Sequence, residues 1–134
     1  MKKLLLLLFS LFILSSQSVK AEIVIFCQSE LETGFIKTNG SWKIANYAPQ
    51  RWTIKFSDDY SQLYFPDEER PFICSPSYSH TPNLLACLSG YSNGESFLFN
   101  KIENRFVLDS TSIRGYVDDG SDSNAFYAGT CEKF

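Results

Sequence analysis

The sequence predicts an all-β fold, a single small antiparallel β-barrel or sandwich of about eight short strands stapled by two disulfides, and three observations carry that expectation. Short β-branched and aromatic runs recur along the chain between turn signals rich in Asn-Gly, Asp and Pro. No stretch beyond residue 21 keeps apolar residues at helical spacing for three turns. Four cysteines, Cys27, Cys74, Cys87 and Cys131, all lie in that same part of the chain. The 134 residues are 44% hydrophobic and 20% charged, a balance that belongs to a globular chain rather than to a disordered one.

Taken in order, Ile23 to Gln28 is a run of strand length, and Gly34 to Lys37 and Ser41 to Ile44 flank Asn39-Gly40. Both central residues of a type I′ turn need positive φ, which Asn tolerates and Gly adopts freely, so a hairpin is expected there. Pro49 separates it from Arg51 to Phe56, where Trp52, Ile54 and Phe56 alternate with polar residues and give one apolar face. Asp58-Asp59 reads as a turn and Gln62 to Phe65 as a short strand. Pro66 to Pro71 reads as an exposed loop, because the flanking prolines cannot donate to a ladder. Phe72 to Ser75 and Leu84 to Ser89 follow, joined by Pro76 to Asn83; Asn93-Gly94 marks the next turn. Ser96 to Ile102 and Arg105 to Asp109 form a hairpin across Glu103-Asn104. Tyr116-Val117 and Ala125 to Lys133 close the chain around the polar loop Asp118 to Asn124.

The first 21 residues read as a cleaved secretory signal: Lys2 and Lys3 precede the apolar run Leu4 to Leu14, and Val19-Lys20-Ala21 places small residues where a signal peptidase reads. Eleven apolar residues fall short of the about 20 that span a bilayer, so no membrane span is expected after cleavage. The mature chain is then a single domain, residues 22–134, exported to the periplasm or secreted, and the leader has a bacterial look. In that oxidising setting two disulfides are the natural use of four cysteines, and the nested pairing of Cys27 with Cys131 and Cys74 with Cys87 is favoured over the two other connectivities. A wide bridge near the two ends seals the seam of a barrel, which favours closure over an open sandwich. Zinc is a poor alternative, since close C-x-x-C pairs are lacking and His80 is the single histidine.

Cys27, Thr33-Gly34-Phe35, Gly40-x-Trp42, Phe97-x-Phe99, Arg105-Phe106, Gly115-Tyr116-Val117-Asp118 and the terminal Gly129-Thr130-Cys131-Glu132-Lys133-Phe134 give the chain a pattern that resembles a group of small exported bacterial proteins of unknown function. The pattern spans most of the mature chain and implies no catalytic residue. In build alone, a short acidic disulfide-bonded barrel is similar to the periplasmic lysozyme inhibitors, although their inhibitory loop motifs have no match here.

Charge narrows the partners. Three of the 12 basic residues (Lys2, Lys3, Lys20) and none of the 15 acidic ones lie in the leader, so the mature chain carries nine basic against 15 acidic residues, a net charge of −6. The nine are scattered singly, which argues against nucleic acid, and the acidic balance is better matched by a basic protein, while a polysaccharide enters only through the tyrosines, whose rings suit a sugar. Ser77, Ser79 and His80 share one loop but lack a G-x-S-x-G elbow, and no pair of carboxylates is marked out as an acid-base couple, so no catalytic, cofactor or metal residue is assigned. Asp118, Asp119, Asp122 and Asn124 are calcium-type ligands without EF-hand spacing, and a solvated turn accounts for the same letters. The 10 Phe, seven Tyr and two Trp of the mature chain exceed the need of a small core. Tyr60, Tyr78 and Tyr91, in or beside turns, and the acidic loop Asp67, Glu68 and Glu69 are therefore the candidate partner-binding residues. The expectation is a monomeric binding or inhibitor-like module without catalysis. A small envelope or secreted structural protein is the alternative, and a small hydrolase the third.

Overall fold

A computed structural model describes residues 22–91 and 93–134, so the segment expected to be a leader, residues 1–21, lies outside the described residues. Nine strands and no helix occur among them: β1 (Glu22–Thr38), β2 (Ser41–Ala45), β3 (Arg51–Ser57), β4 (Gln62–Tyr64), β5 (Phe72–Pro76), β6 (Leu84–Leu88), β7 (Ser96–Asn100), β8 (Arg105–Ser110) and β9 (Asn124–Lys133). Each strand from β3 to β9 pairs antiparallel with the next, and β1 pairs with both β3 and β9, so eight strands close into an up-and-down barrel. The ninth, β2, is an addition at the upper part of β1. Closure matters because it pairs most of the hydrogen-bonding edges that an open sheet exposes.

The sequence splits β1 into two short strands, whereas the structure makes it one strand of 17 residues. The polar stretch Ser29 to Thr33, which lies between the two runs, stays extended for two reasons. Along the β9 seam the register shifts between Ser29 and Leu31, a bulge that accommodates Glu30 as an extra residue. Inside, Ser29 is buried and donates from Oγ to Glu32 Oε1 at 2.6 Å, so both polar groups are satisfied. Across from it the partner strand breaks instead. Gly34 faces Ala45 and Gln28 faces Arg51, so residues 46–50 span residues 29–33 with no net insertion. β2 and β3 are therefore one strand interrupted around Pro49. The ladder is mended by the Gln50 amide donating to Ser29 Oγ at 2.7 Å and by Ser29 N–H donating to the Gln50 carbonyl at 3.0 Å.

Strand alternation then fills the barrel. Ile25, Cys27, Ile54, Phe56, Leu63, Phe72, Cys87, Phe97, Phe99, Phe106 and Leu108 point inward and form the core. An eight-stranded barrel has an interior just wide enough for side chains to fill, and here rings do much of the filling. Phe97 lies 5.4 Å from Phe106, 6.0 Å from Phe65 and 6.5 Å from Phe56. Both disulfides join residues directly opposite one another on neighbouring strands, Cys27 with Cys131 and Cys74 with Cys87, with Cα atoms 4.0 and 3.9 Å apart. The first closes the barrel seam and the second sets the register of β5 on β6, the nested pairing read from the spacing. At that seam Gly129 faces the bulge, where a Cβ would run into the Gln28 carbonyl and meet Ser29 Cα at 2.8 Å.

Smaller departures have local causes. Tyr116-Val117 lies in turns rather than in a strand, because the 113–119 segment folds back on itself with Gly120 N–H bonding the Gly115 carbonyl at 3.0 Å. β7 stops at Asn100, whose Oδ1 accepts from the amides of Ile102 and Glu103 and so turns the chain two residues earlier than Glu103-Asn104 suggests.

Candidate functional site

An up-and-down barrel sorts its connections alternately to two ends. The segments joining β2 to β3, β4 to β5, β6 to β7 and β8 to β9 gather at the upper end, with the hairpin tip at Asn39-Gly40. Those joining β3 to β4, β5 to β6 and β7 to β8 gather at the lower end, beside Phe134.

The lower end is plugged. Tyr60, held at positive φ in the β3–β4 turn, lays its ring 5.1 Å from Phe56, and the Lys101 ammonium sits 4.9 Å from the centre of the same ring. Asp59 fixes the turn by accepting from Ser57 Oγ, Ser61 Oγ and the Ser61 amide at 2.7 to 2.9 Å, and these bonds hold its carboxyl far below the ordinary carboxylate range.

The upper end has a recess of about 210 Å³ that reaches down to Trp52, Phe65, Phe72 and Leu108 and is edged by Asp67, Glu68, Glu95 and Ser110. It exists because β4 is only three residues long: the wall beside the top of β3 is completed by the Phe65 to Pro71 loop instead of by a strand. Trp52 is braced edge-on by Phe106 at 5.8 Å and Tyr127 at 5.3 Å, so the floor is rigid. Glu95 is oriented by Asn93 Nδ2, which donates to Oε2 at 2.7 Å, and Asn93 Oδ1 in turn accepts from the Glu95 amide at 3.2 Å. Desolvation first, then the charges of Glu95 and Asp67, raise the Glu68 carboxyl above its ordinary pKa. No lysine or arginine offsets them, since the ion pairs among the described residues are Lys37 with Asp119 and Lys55 with Glu22. Arg70, in the same loop, turns instead to the Tyr91 ring at 5.2 Å.

The six residues singled out in the sequence are thus divided. Asp67, Glu68, Glu69 and Tyr91 belong to upper-end loops, whereas Tyr60 and Tyr78 belong to the lower end. Tyr78 is exposed, stacks on His80 at 5.6 Å, and borders a groove of about 900 Å³ on the barrel wall. Leu98, Val107, Ala128 and Leu31 floor that groove as one outward-facing row across β7, β8, β9 and β1. Among the described residues His80 has no side-chain hydrogen bond to a serine or a carboxylate, so the Ser77, Ser79 and His80 loop assembles no nucleophile-base pair. Nothing local in the sequence marks Glu95, Trp52, Phe65 and Phe72 as site residues. In a meander, alternate turns share an end, and that rule applied to Pro66–Pro71 and Asn93-Gly94 would have placed Glu95 beside Glu68.

The polar loop Asp118 to Asn124 has its own structural work. Asp119 accepts from Lys37 Nζ at 2.9 Å and Trp42 Nε1 at 3.1 Å; the Lys37 bond is the main cause of its lowered pKa. Asp122 accepts from Ser112 Oγ at 2.8 Å, and Asn124 Oδ1 from the Tyr116 amide at 3.1 Å. Asp122 and Asn124 both engage Ser112 while Asp119 engages Lys37 and Trp42, and among the described residues no three His, Cys, Asp or Glu side chains converge as metal ligands would. No family model, curated protein or solved structure matches the chain.

Proposed function

We propose that this protein is an exported, disulfide-bonded binding module, inhibitor-like in its action, that captures a basic protein by admitting one of its lysine or arginine side chains to the upper mouth of the barrel. The observation that carries the reading is the pairing of an aromatic floor with carboxylates that form no ion pair with a lysine or arginine among the described residues. A long basic side chain matches both parts, burying its methylene stem against Trp52 and Phe65 and presenting its charge to Glu68 and Glu95. Drug-sized ligands occupy roughly 300–1,000 Å³, so a recess of about 210 Å³ suits a single side chain better than a whole small molecule. A polysaccharide is less well matched, because sugar rings want shared aromatic platforms and Tyr60, Tyr78 and Tyr91 sit apart, each ring already faced by a neighbouring side chain. Two buried disulfides fit a protein that folds in an oxidising compartment.

The test is affinity capture by the immobilised oxidised protein from envelope and host extracts, with the reduced protein and Glu68→Gln/Glu95→Gln as controls. A basic protein recovered by the oxidised form and lost by the double variant supports the reading. Recovery of nothing, or of the same proteins by the double variant, removes it.

A further inference from the structure

β2 is where the sheet ends. The other eight strands close on one another, so the edge of β2 that faces away from β1 has no strand partner. Register says which groups that edge presents. Thr38 and Ser41 close the two-residue turn, so Ser41, Lys43 and Ala45 exchange bonds with β1, and the N–H and C=O of Trp42 and Ile44 point outward. Among the described residues no turn or loop backbone bonds to them.

The hairpin that carries this edge is braced from another direction. The β8–β9 loop crosses its outer face, with Asp119 bound to Lys37 and Trp42 and the Tyr116 ring 5.3 Å from Trp42. A braced strand with open edge groups is a preorganised template for strand addition. Its side chains are specific. Ile44 is 78% exposed and faces Phe35 across the hairpin, so one face of the edge is apolar. Lys43, on the other face, is exposed and makes no ion pair among the described residues. Lysine at the middle of the strand opposes self-pairing, because a two-fold pair centred on Lys43 sets like charges face to face. An acidic residue at that position satisfies it.

We infer that the β2 edge is a docking site for an extended segment of a partner protein in which an acidic residue, placed opposite Lys43, is flanked by apolar residues that pack over Trp42 and Ile44. The surface is independent of the barrel mouth and has the opposite charge preference.

Panning a library of short displayed peptides on the oxidised protein tests this directly. The expected result is enrichment of an acid between two apolar residues. A synthetic peptide of that consensus then binds Lys43→Glu about tenfold more weakly, as exchanging an attractive for a repulsive cross-strand pair implies. Panning on Lys43→Glu selects lysine or arginine at the same place. Ile44→Pro removes an outward N–H without touching the ladder to β1, so it abolishes binding while thermal unfolding stays unchanged. Glu68→Gln leaves the peptide affinity as it was, which separates this site from the mouth. The inference is overturned if nothing is enriched, if Lys43→Glu selects the same peptides, or if a folded Ile44→Pro binds them equally; should Ile44→Pro fail to fold, the charge reversal decides alone.

Discussion

Glu68 and Asp59 are two carboxyls on loops at opposite ends of the barrel, and their environments act on stability with opposite sign. Glu68 is exposed but partly desolvated at the recess edge and lies among like charges, so the fold raises its pKa above the ordinary 4.5 and favours its protonated form. The stability it contributes is complete below its unfolded pKa and is lost as pH rises through the raised folded one. Asp59, bonded by two hydroxyls and an amide, has a depressed pKa. It contributes stability above its unfolded value of 3.8 and loses it as pH falls toward the folded one. Chemical denaturation followed across the acid range therefore separates them: Glu68→Gln abolishes a decline in stability on the rising side of pH 4.5, and Asp59→Asn removes part of the loss on acidification. A cation entering the mouth needs Glu68 ionised, so its binding releases protons in the pH range where Glu68 is still partly protonated. The acidic loop was legible in the sequence as a run of charge between prolines. The raised pKa of Glu68 was not, because the partial burial comes from the recess that only the folded barrel forms, and one of the two like charges, Glu95, lies some 27 residues further on.

Local signals are legible wherever one residue type has one dominant use. Asn39-Gly40 forms the two-residue turn, with φ of 53° and 77°. Gly40→Ala places a side chain where L-residues are strained, with no contact within 4 Å to compensate, and is expected to cost about 1 kcal/mol in denaturant unfolding with the barrel intact. Alternation likewise located the inward face of β3, where Trp52, Ile54 and Phe56 point into the barrel. It gives no assignment between Ser29 and Thr33, where a bulge breaks the two-residue period and the part-buried pair of Ser29 with Glu32 keeps the stretch polar. It failed at Tyr116-Val117, where aromatic and β-branched letters serve a turn whose ring packs sideways on Trp42. The extra strand β2 was read as an ordinary hairpin arm. Its free edge is a property of pairing order, which appears only once the partners of every other strand are known.

Two bridges hold the molecule as a whole, one local and one global. Cys74 and Cys87 are 13 residues apart and Cys27 and Cys131 are 104 apart. On the chain-entropy account a loop near 100 residues is worth about 4.7 kcal/mol and one near 15 residues about 3 kcal/mol. Cys27→Ser/Cys131→Ser should accordingly lower the unfolding free energy by more than Cys74→Ser/Cys87→Ser, and it alone should open the β1–β9 seam, seen as faster hydrogen exchange along β9. Barrel closure and the nested bridges were both legible, since eight short strands and paired cysteines near the ends leave few other solutions. The mouth was half legible. Its acids are local in sequence, but its walls come from β3, β5, β7's approach and β8, which only closure brings together.

The central claim is that the mouth takes a basic side chain, and a nuclear magnetic resonance titration of the oxidised protein with N-acetyl-arginine amide tests it most directly, with the glutamate analogue as control. The account predicts saturable shifts at the Trp52 indole and at the Glu68 and Glu95 amides, absent with the glutamate analogue and lost in Glu68→Gln/Glu95→Gln. Shifts that do not saturate, that spread over the surface, or that persist in the double variant would contradict it.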